Sequence, residues 1–105
     1  MARRPKEVRG VVIAYHLGAA SPTHRSRFTH HVLGQDRKVG DRAYRRHGVL
    51  DEIPHWKVNR GVVVVEAAAR ARVLKELRRW TRDVEWWEVA LTPRQRRRLQ
   101  LRSSG

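Results

Sequence analysis

The chain contains no cysteine, and several other residue types are scarce. The absence of cysteine excludes disulfide bonds, zinc sites built on Cys-x-x-Cys pairs and a thiol nucleophile. Carboxylates number only 10 in 105 residues, which leaves little material for a carboxylate metal site. The longest purely apolar runs, Val11–Tyr15 and Val62–Val65, are far too short to span a bilayer. The composition therefore predicts one soluble, cytoplasmic domain without a disulfide, a cofactor or a membrane partner.

Positive charge, in contrast, is abundant. The chain has 24 Lys and Arg against 10 Asp and Glu, a formal net charge of +14. Twenty of those 24 cations are arginine, whose guanidinium forms paired hydrogen bonds with phosphate and stacks on bases. Because such an excess repels itself in the free protein, we expect a polyanionic partner, and nucleic acid is the first to consider. The single asparagine and single methionine fit the composition of a thermophile.

Two continuous β-branched runs predict the central strands of a sheet. The first lies within Val8–Leu17, and the second is Val62–Val65 in the second half of a predicted strand over His55–Glu66. Such runs are typical of strands covered on both faces. An edge strand is predicted over Ala43–Ile53. Val84–Leu91 alternates as a closing strand, with its two adjacent tryptophans on opposite faces and one of them in the core.

Three helices are predicted from their end signals and periodicity. Ser21, followed by proline, predicts the start of a short polar helix, or of an ordered loop, that ends at Gly34. Ala67–Arg82 predicts the main helix, because its apolar residues recur on one face. Thr92, again followed by proline, predicts a short basic helix or tail. The polar segment Gln35–Arg42 is interpreted as an exposed connection.

The predicted order is strand, helix, strand, strand, helix, strand, which resembles the ferredoxin-like split βαβ fold. That α+β fold is shared by many RNA-binding domains and small ribosomal proteins, and the resemblance is at the level of the fold. We expect a basic extension over residues 1–7, one domain over 8–92 and a basic C-terminal helix or tail over 93–105. RNA-recognition motifs place aromatic residues on the two central strands. Those strands carry mainly valine here, so base recognition on the sheet face is not expected.

Three segments combine residue types that bind phosphate and stack on bases. The first places hydroxyls, guanidiniums and imidazoles at a helix start, where free amides favour an anion. The second interleaves aromatics with cations on strands expected to pair with each other. The third is the run of C-terminal arginines. The predicted RNA-binding residues are Ser21, Thr23, His24, Arg25, Arg27, His30 and His31, then Lys38, Arg45, Arg46, His47, Trp56, Lys57 and Arg60, and finally Arg94, Arg96, Arg97 and Arg98.

A metal or catalytic site is weakly indicated. The six histidines lack the HxxxH and HExxH spacings of metal sites. Asp51 and Glu52 form the densest acidic cluster, at a predicted turn between two strands. An acid at such a turn more often forms an ion pair with a neighbouring arginine, here Arg45 or Arg46, than it serves catalysis. The residues that an enzyme would use are Asp51, Glu52 and His55, or His16, His30 and His31.

The sequence therefore predicts a small RNA-binding protein without catalytic or metal-binding residues. It would be ribosomal or ribosome-associated and would contact rRNA backbone beside other ribonucleoprotein components. Two alternatives stay open: a DNA-binding or chromatin-associated protein, and a metal-dependent enzyme acting on nucleic acid. An exposed edge strand leaves a homodimer open.

Overall fold

The structure, a computed structural model, describes residues 8–99 of the chain. The predicted basic extension over 1–7 and the end of the predicted C-terminal tail lie outside the described residues. The strands are β1 (Val8–His16), β2 (Gln35–Val39), β3 (Arg42–Arg46), β4 (His55–Asn59), β5 (Val62–Glu66) and β6 (Asp83–Leu91). The α-helices are α1 (Pro22–Phe28), α2 (Arg70–Arg78) and α3 (Pro93–Arg96). One π-helical turn, Thr29–Leu33, continues α1, and 3-10 turns occupy Val49–Glu52 and Ala67–Ala69.

The fold is mixed α+β, with a four-stranded antiparallel sheet in the order β4-β5-β1-β6. Strands β2 and β3 form a separate two-stranded hairpin. The two central strands, β1 and β5, are those that carry the two continuous β-branched runs, as predicted. No helix within residues 8–99 is long and apolar enough to cross a membrane.

The core lies between one face of the sheet and the helices. Ile13 of β1 and Val63 of β5 point to this face and are almost inaccessible to solvent. Phe28 of α1 and Leu77 of α2 cover them, and this removal of apolar surface from water is the main stabilising contribution. The core side chains are Val11, Ile13, Phe28, Val32, Leu50, Ile53, Val63, Val65, Val73, Leu74 and Leu77.

The second face of the sheet, the open face, carries a row of four apolar side chains. Trp87 of β6 lies opposite Val12 of β1, and Val12 lies opposite Val64 of β5. Val64 in turn lies opposite Trp56 of β4. Because opposite residues of antiparallel strands share a face, two tryptophans flank two valines. Trp87 is 49% exposed, whereas the guanidinium carbon of Arg98, just beyond α3, lies 5.4 Å from the Trp56 ring centroid.

Both predicted ends of the first helix and the predicted start of the last helix are confirmed. The Ser21 hydroxyl accepts a hydrogen bond from the His24 amide at 3.1 Å. Gly34 ends the π-helical turn with φ of +74°, a conformation that favours glycine. At α3, the Thr92 hydroxyl accepts from the Gln95 amide at 3.1 Å, and the Gln95 side chain accepts from the Thr92 amide at 3.0 Å. This reciprocal capping holds a helix of only four residues.

The interpretation of Gln35–Arg42 as a connection and of Ala43–Ile53 as one edge strand is wrong. The first segment begins with β2, and the second divides into β3 and a 3-10 turn over Val49–Glu52. A continuous strand fails because Leu50 turns inward to the core, where it is 1% exposed. The residues of β2 and β3 pair with each other and stay almost entirely exposed.

Two further predictions need correction. His55–Glu66 is a hairpin of β4 and β5, since Gly61 adopts φ of +77° in the turn between them. The predicted pairing between the Tyr44 and Trp56 strands is therefore wrong, because β3 pairs with β2 and β4 with β5. Neither tryptophan of β6 is in the core. Trp86 is 37% exposed and packs beneath Arg70 of α2, 4.5 Å from the guanidinium carbon to the ring centroid.

The main helix is shorter than the predicted range. A 3-10 turn begins at Ala67, α2 begins at Arg70, and α2 ends at Arg78. Its predicted apolar stripe is confirmed, because Val73, Leu74 and Leu77 are buried. Trp80, just past the helix end, packs against that core.

Candidate nucleic-acid interface

The ion pair between Arg45 and Asp51 lies at the base of the β2–β3 hairpin. The Arg45 guanidinium donates from Nε and Nη2 to Asp51 Oδ1 at 3.0 and 2.8 Å, and Nη2 also donates to the Leu33 carbonyl at 2.7 Å. Nη1 donates to Asp36 Oδ1 at 3.1 Å. The Asp51 side chain is fully buried, and it accepts a further hydrogen bond from the Gly48 amide at 2.9 Å. These contacts join the hairpin to both the π-helical turn and the 3-10 turn.

The surroundings of Asp51 decide its charge. Burial alone would raise the pKa of this carboxyl, but the hydrogen bonds from Arg45 and the Gly48 amide outweigh burial and lower the pKa below its ordinary value. The hydrogen bonds to Asp51 also raise the pKa of Arg45. Both groups therefore stay charged, and Arg45 is held by the protein itself.

The β2–β3 hairpin, Gln35–Arg46, is here called the hairpin arm. Its two faces carry different side chains. Register pairs Arg37 with Tyr44, Val39 with Arg42 and Gln35 with Arg46, so these residues share one face. Arg45, which bonds to Asp51, belongs to the other face and turns it toward the body of the protein. The outward face therefore carries Arg37, Arg42 and Arg46 around Tyr44, whose side chain is 50% exposed. Within residues 8–99, the side chains of these three arginines form no hydrogen bond or ion pair.

Sequence reasoning missed Arg37 and Arg42, although a signal for them exists. Gly40 has φ of +60° and Asp41 does not have a positive φ, the pattern of a type II′ turn with glycine first. A two-residue turn that begins with glycine is a signal for a hairpin. Recognising that turn would have aligned Arg37 and Arg42 with Tyr44 on one face.

Some predicted residues of the first segment pack against the protein, and others are exposed to solvent. The rings of His24 and His31 lie 5.5 and 5.7 Å from the Trp80 ring, and His24 Nε2 lies 2.9 Å from the Trp80 carbonyl oxygen. These two histidines therefore help to enclose Trp80. His30 is half-buried, while Ser21, which caps α1, and Thr23 and Arg27 are exposed.

Arg25, Lys57 and Arg60, which sequence reasoning assigned to two different segments, lie around one cleft of about 740 Å³. The cleft lies where α1 faces the end of β1 and the β4–β5 turn, and Tyr15, Phe28 and Leu33 also line it. We call it the basic cleft.

The remaining predicted residues lie elsewhere on the surface. Lys38 is exposed on the arm face that it shares with Arg45, and His47 Nε2 lies 3.4 Å from Glu52 Oε1. Arg96 Nε lies 3.6 Å from Glu66 Oε1. The other C-terminal cations, Arg94, Arg97 and Arg98, are exposed, with Arg98 over Trp56.

The acidic cluster that could serve an enzyme is divided among separate partners. Asp51 bonds to Arg45, and Glu52 lies against Arg72 and His47. The buried His55 directs Nδ1 to the Ile53 carbonyl oxygen, 2.8 Å away. Over residues 8–99, no three His, Asp or Glu side chains are gathered as a metal site would need.

Comparison of this chain with protein-family models, with curated proteins and with solved structures finds no match. The residues and their geometry are therefore the basis of the functional proposal.

Proposed function

We propose that this chain is a small RNA-binding protein, ribosomal or ribosome-associated, that uses the hairpin arm to contact RNA. The observation that carries the proposal is the outward face of the arm, where Arg37, Arg42 and Arg46 surround the half-exposed Tyr44. Guanidiniums bind backbone phosphate, and an aromatic ring among them stacks on an unpaired base. A net charge of +14 supports the same class of partner.

The construction of the arm supports a role in binding. A lone two-stranded hairpin is marginally stable in water, and this one has exposed residues along nearly all of its length. Its position depends on Arg45 and Asp51, which join the base of the arm to the 3-10 turn Val49–Glu52. An exposed polar arm of this kind contributes little to the core of its own domain, and it is suited to reach into a partner.

We also infer that the main sheet is the ferredoxin-like split βαβ arrangement, with the hairpin arm inserted between α1 and β4. The antiparallel order β4-β5-β1-β6 supports this inference, together with α1 before β4 and α2 between β5 and β6. Such an insertion adds a binding element while leaving the core strands unchanged.

Duplex DNA is the second candidate, and the arm is the observation that favours it. A two-stranded ribbon fits the major groove of B-DNA. RNA is preferred here because Tyr44 on the arm and Trp87 on the open face are both about half exposed. Regular duplex DNA offers such rings no unpaired base to stack on.

The test is binding of the purified chain to a stem-loop RNA, a single-stranded RNA and a duplex DNA across a salt series, with the nucleic acid examined for cleavage. We expect preference for the stem-loop RNA, intact RNA, and a log-log salt slope of roughly −4 or steeper, which corresponds to about five phosphate contacts. Preference for duplex DNA would replace the RNA proposal with the DNA candidate. Absence of binding at low salt, or cleavage of the RNA, would contradict the proposal.

A further inference from the structure

The basic cleft combines one cation that is held by hydrogen bonds with two cations that form no ion pair within residues 8–99. Arg25 Nη2 donates to the Gly18 carbonyl at 2.5 Å, and Nε donates to the Ala20 carbonyl at 3.2 Å. These bonds hold the guanidinium in place at the cleft and leave Nη1 without a partner among residues 8–99. A cation held before a ligand arrives loses little conformational entropy on binding.

The opposite side of the cleft is formed by the hairpin of β4 and β5. Lys57 lies opposite Val63, whose side chain is in the core, so Lys57 is on the helix-facing side of the sheet edge. Arg60 lies in the turn that follows. The side chains of Lys57 and Arg60 form no ion pair within the described part of the chain, and no carboxylate lines the cleft. The cleft therefore favours an anion.

The floor of the cleft is aromatic and apolar. The ring centroids of Tyr15 and Phe28 lie 5.4 Å apart, with Leu33 beside them. The Tyr15 hydroxyl makes no hydrogen bond with any residue of 8–99, and burial raises the pKa of this phenol. It is thus a protonated donor in the wall of the cleft that lacks a partner from the protein. A simple inorganic anion would leave the apolar part of this floor unused.

We propose that the basic cleft binds a nucleotide, with its base against Tyr15 and Leu33 and its phosphate between Arg25, Lys57 and Arg60. The volume of about 740 Å³ lies within the range of roughly 300–1,000 Å³ that small-ligand pockets occupy. The nucleotide is either a free mononucleotide or an unpaired nucleotide of a bound RNA, since both present the same base and phosphate. The inference goes beyond the proposed function, because the cleft and the hairpin arm share no residue.

The first experiment is calorimetric titration of the full chain with AMP, GMP, CMP, UMP and, separately, inorganic phosphate. We expect at least one mononucleotide to bind about tenfold more tightly than phosphate. The double variant Lys57→Gln/Arg60→Gln should weaken that binding by about tenfold or more, which is about 1.4 kcal/mol. Tyr15→Phe should weaken nucleotide binding severalfold and leave phosphate binding unchanged. Lys75→Gln/Arg82→Gln removes the same charge from two exposed cations that line neither the cleft nor the hairpin arm, and it should leave nucleotide binding unchanged.

A second experiment distinguishes the two sources of the nucleotide. A stem-loop RNA with one bulged nucleotide is compared with the fully paired version, using the wild type and Lys57→Gln/Arg60→Gln. A preference for the bulge that the cleft variant abolishes supports the proposal with RNA as the source, even where free nucleotides bind weakly. Tight binding of free nucleotides without a bulge preference supports it with a free nucleotide as the source.

Three results would overturn the proposal. The first is phosphate binding as tight as nucleotide binding, and the second is an equal loss from Lys75→Gln/Arg82→Gln. The third is the absence of both nucleotide binding and a cleft-dependent bulge preference. RNA binding that depends on the arm alone would remove the cleft proposal and leave the proposed function standing. Nucleotide binding without stem-loop binding would remove the proposed function and leave the cleft proposal standing.

Discussion

Arg45 Nη2 lies 2.8 Å from Asp51 Oδ1, and this contact joins an exposed hairpin to a buried carboxylate. The Arg45 side chain is 15% exposed and that of Asp51 is 0% exposed, so neither charge is well solvated. Removing one member of such a pair strongly destabilises a protein, because the other charge stays buried without compensation. The ion pair between Arg45 and Asp51, with the hydrogen bonds around it, therefore helps to fix the position of the hairpin arm.

We predict that Asp51→Asn lowers the free energy of unfolding by about 3 kcal/mol. The substitution keeps the shape of the side chain, so the loss reports the charge and the hydrogen bonds that an amide nitrogen cannot accept. Urea unfolding followed by circular dichroism measures it. Asp36→Asn is the matched control, because Asp36 also contacts Arg45 but its side chain is 73% exposed. That variant should change stability by less than about 0.5 kcal/mol. Equal effects of the two variants would contradict the assigned role of Asp51.

Acid should remove the contribution of Asp51 to stability. The pKa of Asp51 lies below the ordinary carboxyl value, which is about 3.9 in an unfolded chain. The stabilisation is therefore fully present above that value and is lost as the pH falls through the lower pKa of the folded state. The difference in unfolding free energy between the wild type and Asp51→Asn should shrink as the pH falls below about 4. A difference that stays constant down to the acid limit of folding would argue against this explanation.

Gly34→Ala should disturb the contacts between Arg45 and Asp51, because the added Cβ would lie against them. Gly34 has φ of +74°, and a Cβ there would lie 2.5 Å from Asp51 Oδ2 and 2.6 Å from the Arg46 carbonyl oxygen. We expect a loss of at least about 2 kcal/mol in urea unfolding. Gly40→Ala is the control, because Gly40 has φ of +60° with nothing within 4 Å of the added Cβ. That variant should lose only the left-handed backbone cost of about 1 kcal/mol. A Gly40→Ala loss as large as that of Gly34→Ala would show that contact with Asp51 does not matter.

The sequence predicted the parts of the fold whose signals are local. The β-branched runs around Ile13 and Val63 indicated the central strands, and the Ser21 and Thr92 caps indicated two helix starts. These signals are readable because each strand is marked by one continuous run of residues, and each cap bonds to an amide only three residues away. The hairpin arm was missed because β2 has no apolar pattern; backbone hydrogen bonds and the contact between Arg45 and Asp36 hold its pairing with β3.

The candidate site was harder to predict because its residues meet through tertiary structure. An ion pair of Asp51 with Arg45 or Arg46 was anticipated, and the structure selects Arg45. The grouping of Arg25 with Lys57 and Arg60 depends on how α1 approaches the β4–β5 turn, which no local pattern encodes. Trp86 fell outside the core because β6 is an edge strand, where packing is incomplete.

The most direct test of RNA binding by the hairpin arm compares two double variants of equal charge change. Arg37→Gln/Arg42→Gln neutralises the outward face of the arm. Lys75→Gln/Arg82→Gln neutralises two exposed cations at α2 and just beyond it, whose side chains form no ion pair within residues 8–99.

Affinity for the stem-loop RNA is measured across a salt series for both variants and the wild type. We predict that the arm variant binds about tenfold more weakly at moderate salt, with a log-log salt slope shallower by about 2, and that the α2 variant resembles the wild type. Equal losses from the two variants would show that net charge alone accounts for binding, and they would contradict the assignment of the arm as the RNA-contacting element.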